Sequence, residues 1–256
     1  MRERKLTIGS YFLPPMVVLG AVLAWGALSH FHVFPESAFP SPQSVAIGVR
    51  EEFHRGLVDN IVASVFRVTM GFGLAILLGL PLGLWLGLNN RARLAALPII
   101  NFFRSLSPLA WIPFAILWFG LGDRPTIFLI FMAAVFPITL ATTAAVAEIP
   151  AVTFRVARDY GFTGIQLLTQ VTLPGIAPQV ITAMRVTAGL SWVVVVAAEM
   201  LSGKEGLGFA IWDARNSLRM DLLVVNMVVI GIIGALLDRM LMQLTRIPSV
   251  RWGYEQ

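Results

Sequence analysis

Cysteine is absent from the 256 residues. That excludes a disulfide framework, a thiolate nucleophile and any Cys-based metal site, and it leaves the redox compartment unmarked. Charge is scarce too: Asp, Glu, Lys and Arg make up 13% of the chain against 57% hydrophobic residues, and the mean hydropathy is +0.79. A soluble domain of this length needs far more charge to cover its surface. The chain is therefore an all-α integral membrane protein in outline. Histidine is limited to three positions, His30, His32 and His54; the HxH pair lacks a third ligand, and interfacial or solvent-facing rings explain them first. There is no internal repeat, low-complexity tract or linker, so 1–256 reads as a single transmembrane domain.

What is present is a series of apolar runs close to the roughly 20 residues that cross a bilayer. Six fall at about 11–30, 61–88, 106–120, 126–147, 176–201 and 221–244. The first follows the basic MRERK, as a signal peptide would. It is too long for such a segment and opens on Pro14-Pro15, so it is read as a retained helix. The third run is short and carries Pro108 and Pro113; it is tilted, broken, or extended backwards through Leu97 to Arg104.

The basic residues set an orientation. With the N-terminus inside, the inner side carries ten (Arg2, Arg4, Lys5, Arg91, Arg93, Arg155, Arg158, Arg239, Arg246, Arg251) and the outer side six, accompanied by eight acids. Both termini are expected in the cytoplasm. The net charge of +5 is then a property of the loops, with no nucleic-acid partner implied. Outer loops are expected at about 31–60 and 202–220. In the first, Ser41-Pro42 marks the start of a short helix; the second is an ordered loop or a short re-entrant helix.

Between the fourth and fifth runs lies a polar cytoplasmic segment, about 148–174, containing "RVARDYGFTGIQLLTQVTLPG". Read as helix, Phe154, Ala157, Arg158 and Gly161 share one face. Small residues there let a partner surface approach the backbone, while Phe154 and Arg158 offer an apolar anchor and a charge. Gly161 and Gly164 supply positive φ to end or turn the helix, and Leu173-Pro174 starts a new direction. An amphipathic loop lying on the bilayer surface accounts for the charges equally, without requiring the small-residue face.

The spacing of Ala157, Gly161 and Val171-Thr172-Leu173-Pro174 resembles the EAA loop of binding-protein-dependent ABC importer permeases. Arg155 stands where that signature has Glu, Val156 where it has Ala, and Val171 where Ile is usual. "SPLAWIPFAILWFGLGD" at 107–123, "VARDYG" at 156–161 and "SWVVVVAAEMLSGKEGLGFAIWDARNS" at 191–217 are similar to the nitrate, sulfonate, taurine and bicarbonate branch. The resemblance implies a type I importer permease fold of six transmembrane helices in a bacterial inner membrane. It further implies a homodimer, cytoplasmic ATPase subunits holding the ATP and magnesium, and an external solute-binding protein. This chain would bind no cofactor and catalyse nothing. The cytoplasmic segment would be the coupling helix, with Phe154, Arg155, Ala157, Arg158, Gly161 and Pro174 at the ATPase contact, and the cargo a small anion.

Arg67, Arg104, Arg185 and Glu199 lie within or at the edges of apolar runs, where ionisable groups face a bundle interior, pair, or line a polar path. Arg104 and Arg185 either lower the barrier for an anion or snorkel toward the inner interface and pair with carbonyls. Ser107 and Trp192 are further pathway candidates. Glu199 is read as a gate or inter-helix contact with an arginine partner, or as packing glue. "GKEGLG" at 203–208 lacks the phosphate-loop order and lies outside. The four-residue spacing of Gly79, Gly83 and Gly87, with Gly71 on a related position, marks a close helix contact. An ion-gradient transporter or channel is the rival reading and requires broken helices related by internal symmetry, which the sequence does not display. An intramembrane enzyme would need a catalytic constellation, and none is visible.

Overall fold

The computed structural model describes residues 9–31, 35, 38–202 and 204–244. His32, Gly203 and the basic residues Arg2, Arg4, Lys5, Arg246 and Arg251 lie outside them, so the terminal charges that set the expected orientation have no structural counterpart. Every regular element among the described residues is helical. In chain order these are α1 (Gly9–His30), α2 (Pro42–His54), α3 (Leu57–Leu88), α4 (Asn90–Ser105), α5 (Ile112–Phe119), α6 (Asp123–Ala147), α7 (Ala151–Asp159), α8 (Gly164–Leu167), α9 (Leu173–Ser202), α10 (Leu207–Asn216) and α11 (Met220–Leu244). Four of them are long and apolar enough to span a bilayer, or five if the α4–α5 pair counts as one; the apolar stretch Pro15–His30 of α1 is shorter. The sixth crossing expected from the sequence is not established by these criteria.

The third run is broken, and its proline explains why. α4 starts at an Asn89 cap whose side chain accepts a hydrogen bond from the Ala92 N–H. Pro108 excludes helical backbone at the residue before it, and Leu106 and Ser107 are accordingly extended, at ψ 131° and 128°. A single 3₁₀ turn, Pro108–Trp111, then leads into α5. The two arms meet at a bend of 84°. Gly120 and Gly122, at φ 76° and 126°, end α5 and redirect the chain into α6.

The helices cluster into two compact units. One comprises Met1–Val58 with Ala210–Val229. Here Ser41 caps α2 and Pro42 occupies its first turn, as the sequence predicts. Arg219 forks onto Glu51 at 2.9 and 2.6 Å and onto Asp221 at 3.0 and 2.8 Å. Arg55 reaches Asp213 at 3.3 Å. The buried Asn226 donates to the buried Glu52 at 2.8 Å. Two segments that the charge count puts on the same side, 31–60 and 202–220, thus meet.

The other unit comprises Asp59–Phe209 with Ile230–Gln256 and is built around α6, half of whose apolar window is buried. α3 approaches it along the predicted glycines. A Cβ at Gly83 would lie 2.6 Å from Thr142 Cβ, and one at Gly87 2.5 Å from Val146 Cβ. Backbone contact of this kind is what holds helices together where lipid removes the hydrophobic driving force. Thr139 and Thr143 hydroxyls donate to carbonyls one turn back in α6, at 2.8 and 2.7 Å, so the core carries their polarity without cost. Around them pack Phe72, Ala75, Ala134 and Ile138 in one cluster, and Leu84, Val146, Ile176 and Val180 in another.

Candidate coupling helix and buried charge cluster

α7 is a short helix between α6 and α9 and ends as its sequence dictates. Gly161 takes φ 85°, the Phe162 N–H donates to the Ala157 carbonyl at 3.0 Å and the Gly161 N–H to that of Arg158 at 2.9 Å. This pair of bonds is a Schellman ending, which any residue with a Cβ would strain. Gly164, at φ 51°, turns the chain into α8.

The face expected to meet a partner is divided. Ala157 is 8% exposed and Phe154 half-buried, so these two pack against the chain itself, while Arg158 and Gly161 are exposed. Val152, Val156 and Tyr160, on successive turns, are exposed together with Arg155, Arg158 and Asp159. The reason is physical: a helix of nine residues is too short to stand alone and needs its apolar side to dock onto its own protein. Behind it lies a cavity of about 440 Å³ whose walls include Phe154, Arg155 and Arg158.

Pro174 does not redirect the chain. Helix runs unbroken from Gly164 to Leu201, 38 residues, through a π turn at Leu168–Thr172. A proline ring collides with the carbonyl four residues back. The wider π turn just before Pro174 takes up that conflict, and Thr172 Oγ1 donates to the Leu167 carbonyl at 3.2 Å.

At the far end of α9 stands Glu199, wholly buried. It accepts from Arg67 Nη1 at 2.7 Å, from Ser64 Oγ at 2.8 and 2.9 Å, and from the Gly208 N–H at 3.0 Å. Arg67, itself 3% exposed, also donates to Asp123 at 2.7 Å and to the Glu205 carbonyl at 2.6 Å. The Leu207 N–H donates to Ser64 Oγ at 2.9 Å and the Gly206 N–H to Asn60 Oδ1 at 2.8 Å. The arginine partner anticipated for Glu199 is Arg67. Between them the two charges fasten the 204–208 loop, which fills the turn between α9 and α10, onto α3. Gly206 is required there twice over: it takes φ 114°, and a Cβ would collide with the Glu199 carboxylate.

Arg185 is held by Asp238 of α11 in a fork at 3.0 and 3.2 Å. Trp192 is 8% exposed, donates to the Ile230 carbonyl at 3.1 Å and packs its ring on Gly234. Both line one cavity of about 650 Å³ among α3, α9 and α11. Arg104 and Ser107 are exposed at the α4–α5 break, and Arg104 makes no ion pair among the described residues. Sequence reasoning missed Asp238, Asp123, Ser64 and Asn60. For Asp238 the signal was available, since an acid inside the last apolar run invites the question asked of Glu199.

The comparisons agree with this architecture. The model of the family described as "Binding-protein-dependent transport system inner membrane component" matches residues 75–247. The bicarbonate transport system permease protein CmpB of Synechococcus elongatus is 31% identical, covering 96% of this chain and 92% of its own. The taurine transport system permease protein TauC of Escherichia coli is 32% identical, covering 96% and 89%. The nitrate import permease protein NrtB of a Synechocystis species is 37% identical, covering 72% and 67%. Among solved structures, the inward-facing MetNI methionine ABC transporter matches with a TM-score of 0.60 at 22% identity, over 76% of this chain and 99% of the matched one. The chain belongs to the binding-protein-dependent inner-membrane permease family. It is a multi-pass membrane protein with the type I ABC importer permease fold.

Proposed function

We propose that this chain is the translocating subunit of an ATP-driven importer, working by alternating access for a small anion of the bicarbonate, nitrate or organosulfonate class. Two copies enclose the path, cytoplasmic ATPases hydrolyse ATP, and an external binding protein delivers the cargo. The chain lies in the bacterial inner membrane as one permease domain, with both termini in the cytoplasm. The observation that carries the reading is α7, one face buried against its own protein and the other left open beside a glycine-locked end. ATP binding draws the ATPases together, α7 moves with them, and α9 passes the movement to the Glu199 cluster. ATP supplies the differential stabilisation that shifts the two-state bundle. Of the arginines considered for the path, Arg104 has no counter-charge among the described residues, while Arg185 is balanced by Asp238. The relatives' named cargoes, bicarbonate, nitrate and taurine, support the anion class.

The test is Gly161→Val in the reconstituted transporter. A branched side chain at φ 85° distorts the end of α7, so cargo-stimulated ATPase activity falls at least tenfold, on the order of 1.4 kcal/mol of coupling, while the chain still inserts in the membrane. Undiminished stimulation, or uptake by vesicles lacking any ATPase, refutes the proposal.

A further inference from the structure

The cavity behind α7 brings Arg93, which lies outside the proposed ATPase contact, together with Arg155 and Arg158, which lie within it. Its volume, about 440 Å³, falls in the roughly 300–1,000 Å³ range of ligand clefts. Three arginines share its wall: Arg93 from the first turns of α4, and Arg155 and Arg158 from α7. No acidic side chain is among the described residues lining it. Arg93 spends one N–H on Asn90 Oδ1 at 2.7 Å, and none of the three makes an ion pair among the described residues. Asp159, next to Arg158, is exposed and does not line the cavity, and Glu148, between the wall residues Ala147 and Ile149, accepts from Gln179 at 2.9 Å. The rest of the wall is apolar, with Phe154, Val146 and Ile149.

Three like charges turned toward one space repel each other, and repulsion of that kind is relieved by an anion. Arginine forks match tetrahedral oxyanions in particular, and basic pockets between transmembrane helices on the cytoplasmic side hold acidic lipid headgroups. An apolar wall beside the charges suits the glycerol and acyl portion of such a lipid.

We propose that this cavity is an anion site for a phosphate-type group, supplied by an acidic phospholipid or by free inorganic phosphate. The bound phosphate bridges α4 to α7. It thereby props the coupling helix against the ends of α3 and α6, whose Gly87 and Val146 also line the cavity with Ile149 just beyond α6. Anionic lipid or phosphate would set how firmly α7 is seated, independently of which protein docks on its outer face.

The experiment is a titration of the intact purified transporter in zwitterionic nanodiscs, with short-chain phosphatidylglycerol, short-chain phosphatidylcholine and inorganic phosphate, read by native mass spectrometry. Phosphatidylglycerol binds and phosphatidylcholine does not. Arg93→Gln and Arg158→Gln each weaken binding about fivefold, Arg93→Lys retains most of it, and Arg50→Gln on α2 changes nothing. Displacement of phosphatidylglycerol by millimolar phosphate assigns the site to the free ion, and failure of displacement assigns it to the lipid; both uphold an anion site. Equal binding of the two lipids, or equal weakening by Arg50→Gln, overturns it. Arg93 lies outside the proposed ATPase contact, and lipid binding is read without ATP hydrolysis, so this result and that of Gly161→Val separate the two readings.

Discussion

Glu199 and Arg67 at one end of the α3–α6–α9 core, and Arg93, Arg155 and Arg158 at the other, are charged groups treated in opposite ways. The first pair is removed from water and every oxygen and most of the N–H groups find partners within the chain. The three arginines have no counter-charges among the described residues and face an open cavity. A buried pair adds little net stability compared with an apolar replacement, but losing one member is severe, so such a pair is a fastening that must be either complete or absent. Unpaired, hydrated arginines cost the fold little and keep their charge available to something outside it. One end is built to hold together, the other to be met.

Breaking the first end should have the largest effect. Glu199→Ala leaves Arg67 buried without its counter-ion and frees the Gly208 N–H, and about 3–5 kcal/mol of stability should be lost. Thermal unfolding of the purified transporter measures this, and a melting temperature within a degree or two of wild type would mean the pair is not a fastening. On α7 the expected pattern is inverted. Val156→Asp, on the exposed stripe, should shift stability by no more than about 0.5 kcal/mol and yet abolish cargo-stimulated ATPase activity; a variant that melts early but still couples would reverse the assignment of the outward face. The smallest effect is expected at the exposed, fully paired set around Arg219. The hydrogen bond from Arg219 holds the Glu51 carboxyl below its ordinary value of 4.5. Its contribution is therefore complete above about pH 4.5 and is lost as pH falls through the depressed value in the folded state. Glu51→Gln should remove a small part of the acid sensitivity of unfolding between pH 5 and 3, and identical acid profiles would show the fork to be energetically idle.

The sequence discloses what is local and conceals what is distant. Ser41-Pro42, the α3 glycines, and Gly161 with Gly164 could be read because capping, close approach and positive φ each depend on a few neighbouring residues. The intramembrane charges could be found one by one from their cost in hydrocarbon. Their pairing could not, because Arg67 and Glu199 are 132 positions apart, and nothing in either run names the other. Periodicity grouped Phe154 with Ala157, but which face turns inward is decided by the body that α7 lies against. Pro174 misleads for a related reason: a rule about dipeptides favours a break, and the surrounding long helix absorbs the proline through a change of hydrogen-bond pitch. The separate α4 was obscured because its polar opening and Pro98 make it look like loop followed by part of the next span.

The uninterrupted helix from Gly164 to Leu201 has a mechanical consequence. At about 1.5 Å per residue its 38 residues make a strut of roughly 57 Å, long enough to join the bend after α7 to the Glu199 knot in a single piece. Such a strut cannot keep a displacement at one end to itself, and its π turn at Leu168–Thr172 lies near the end next to α7. The Glu199 knot and the bend before Gly164 are therefore two ends of one lever.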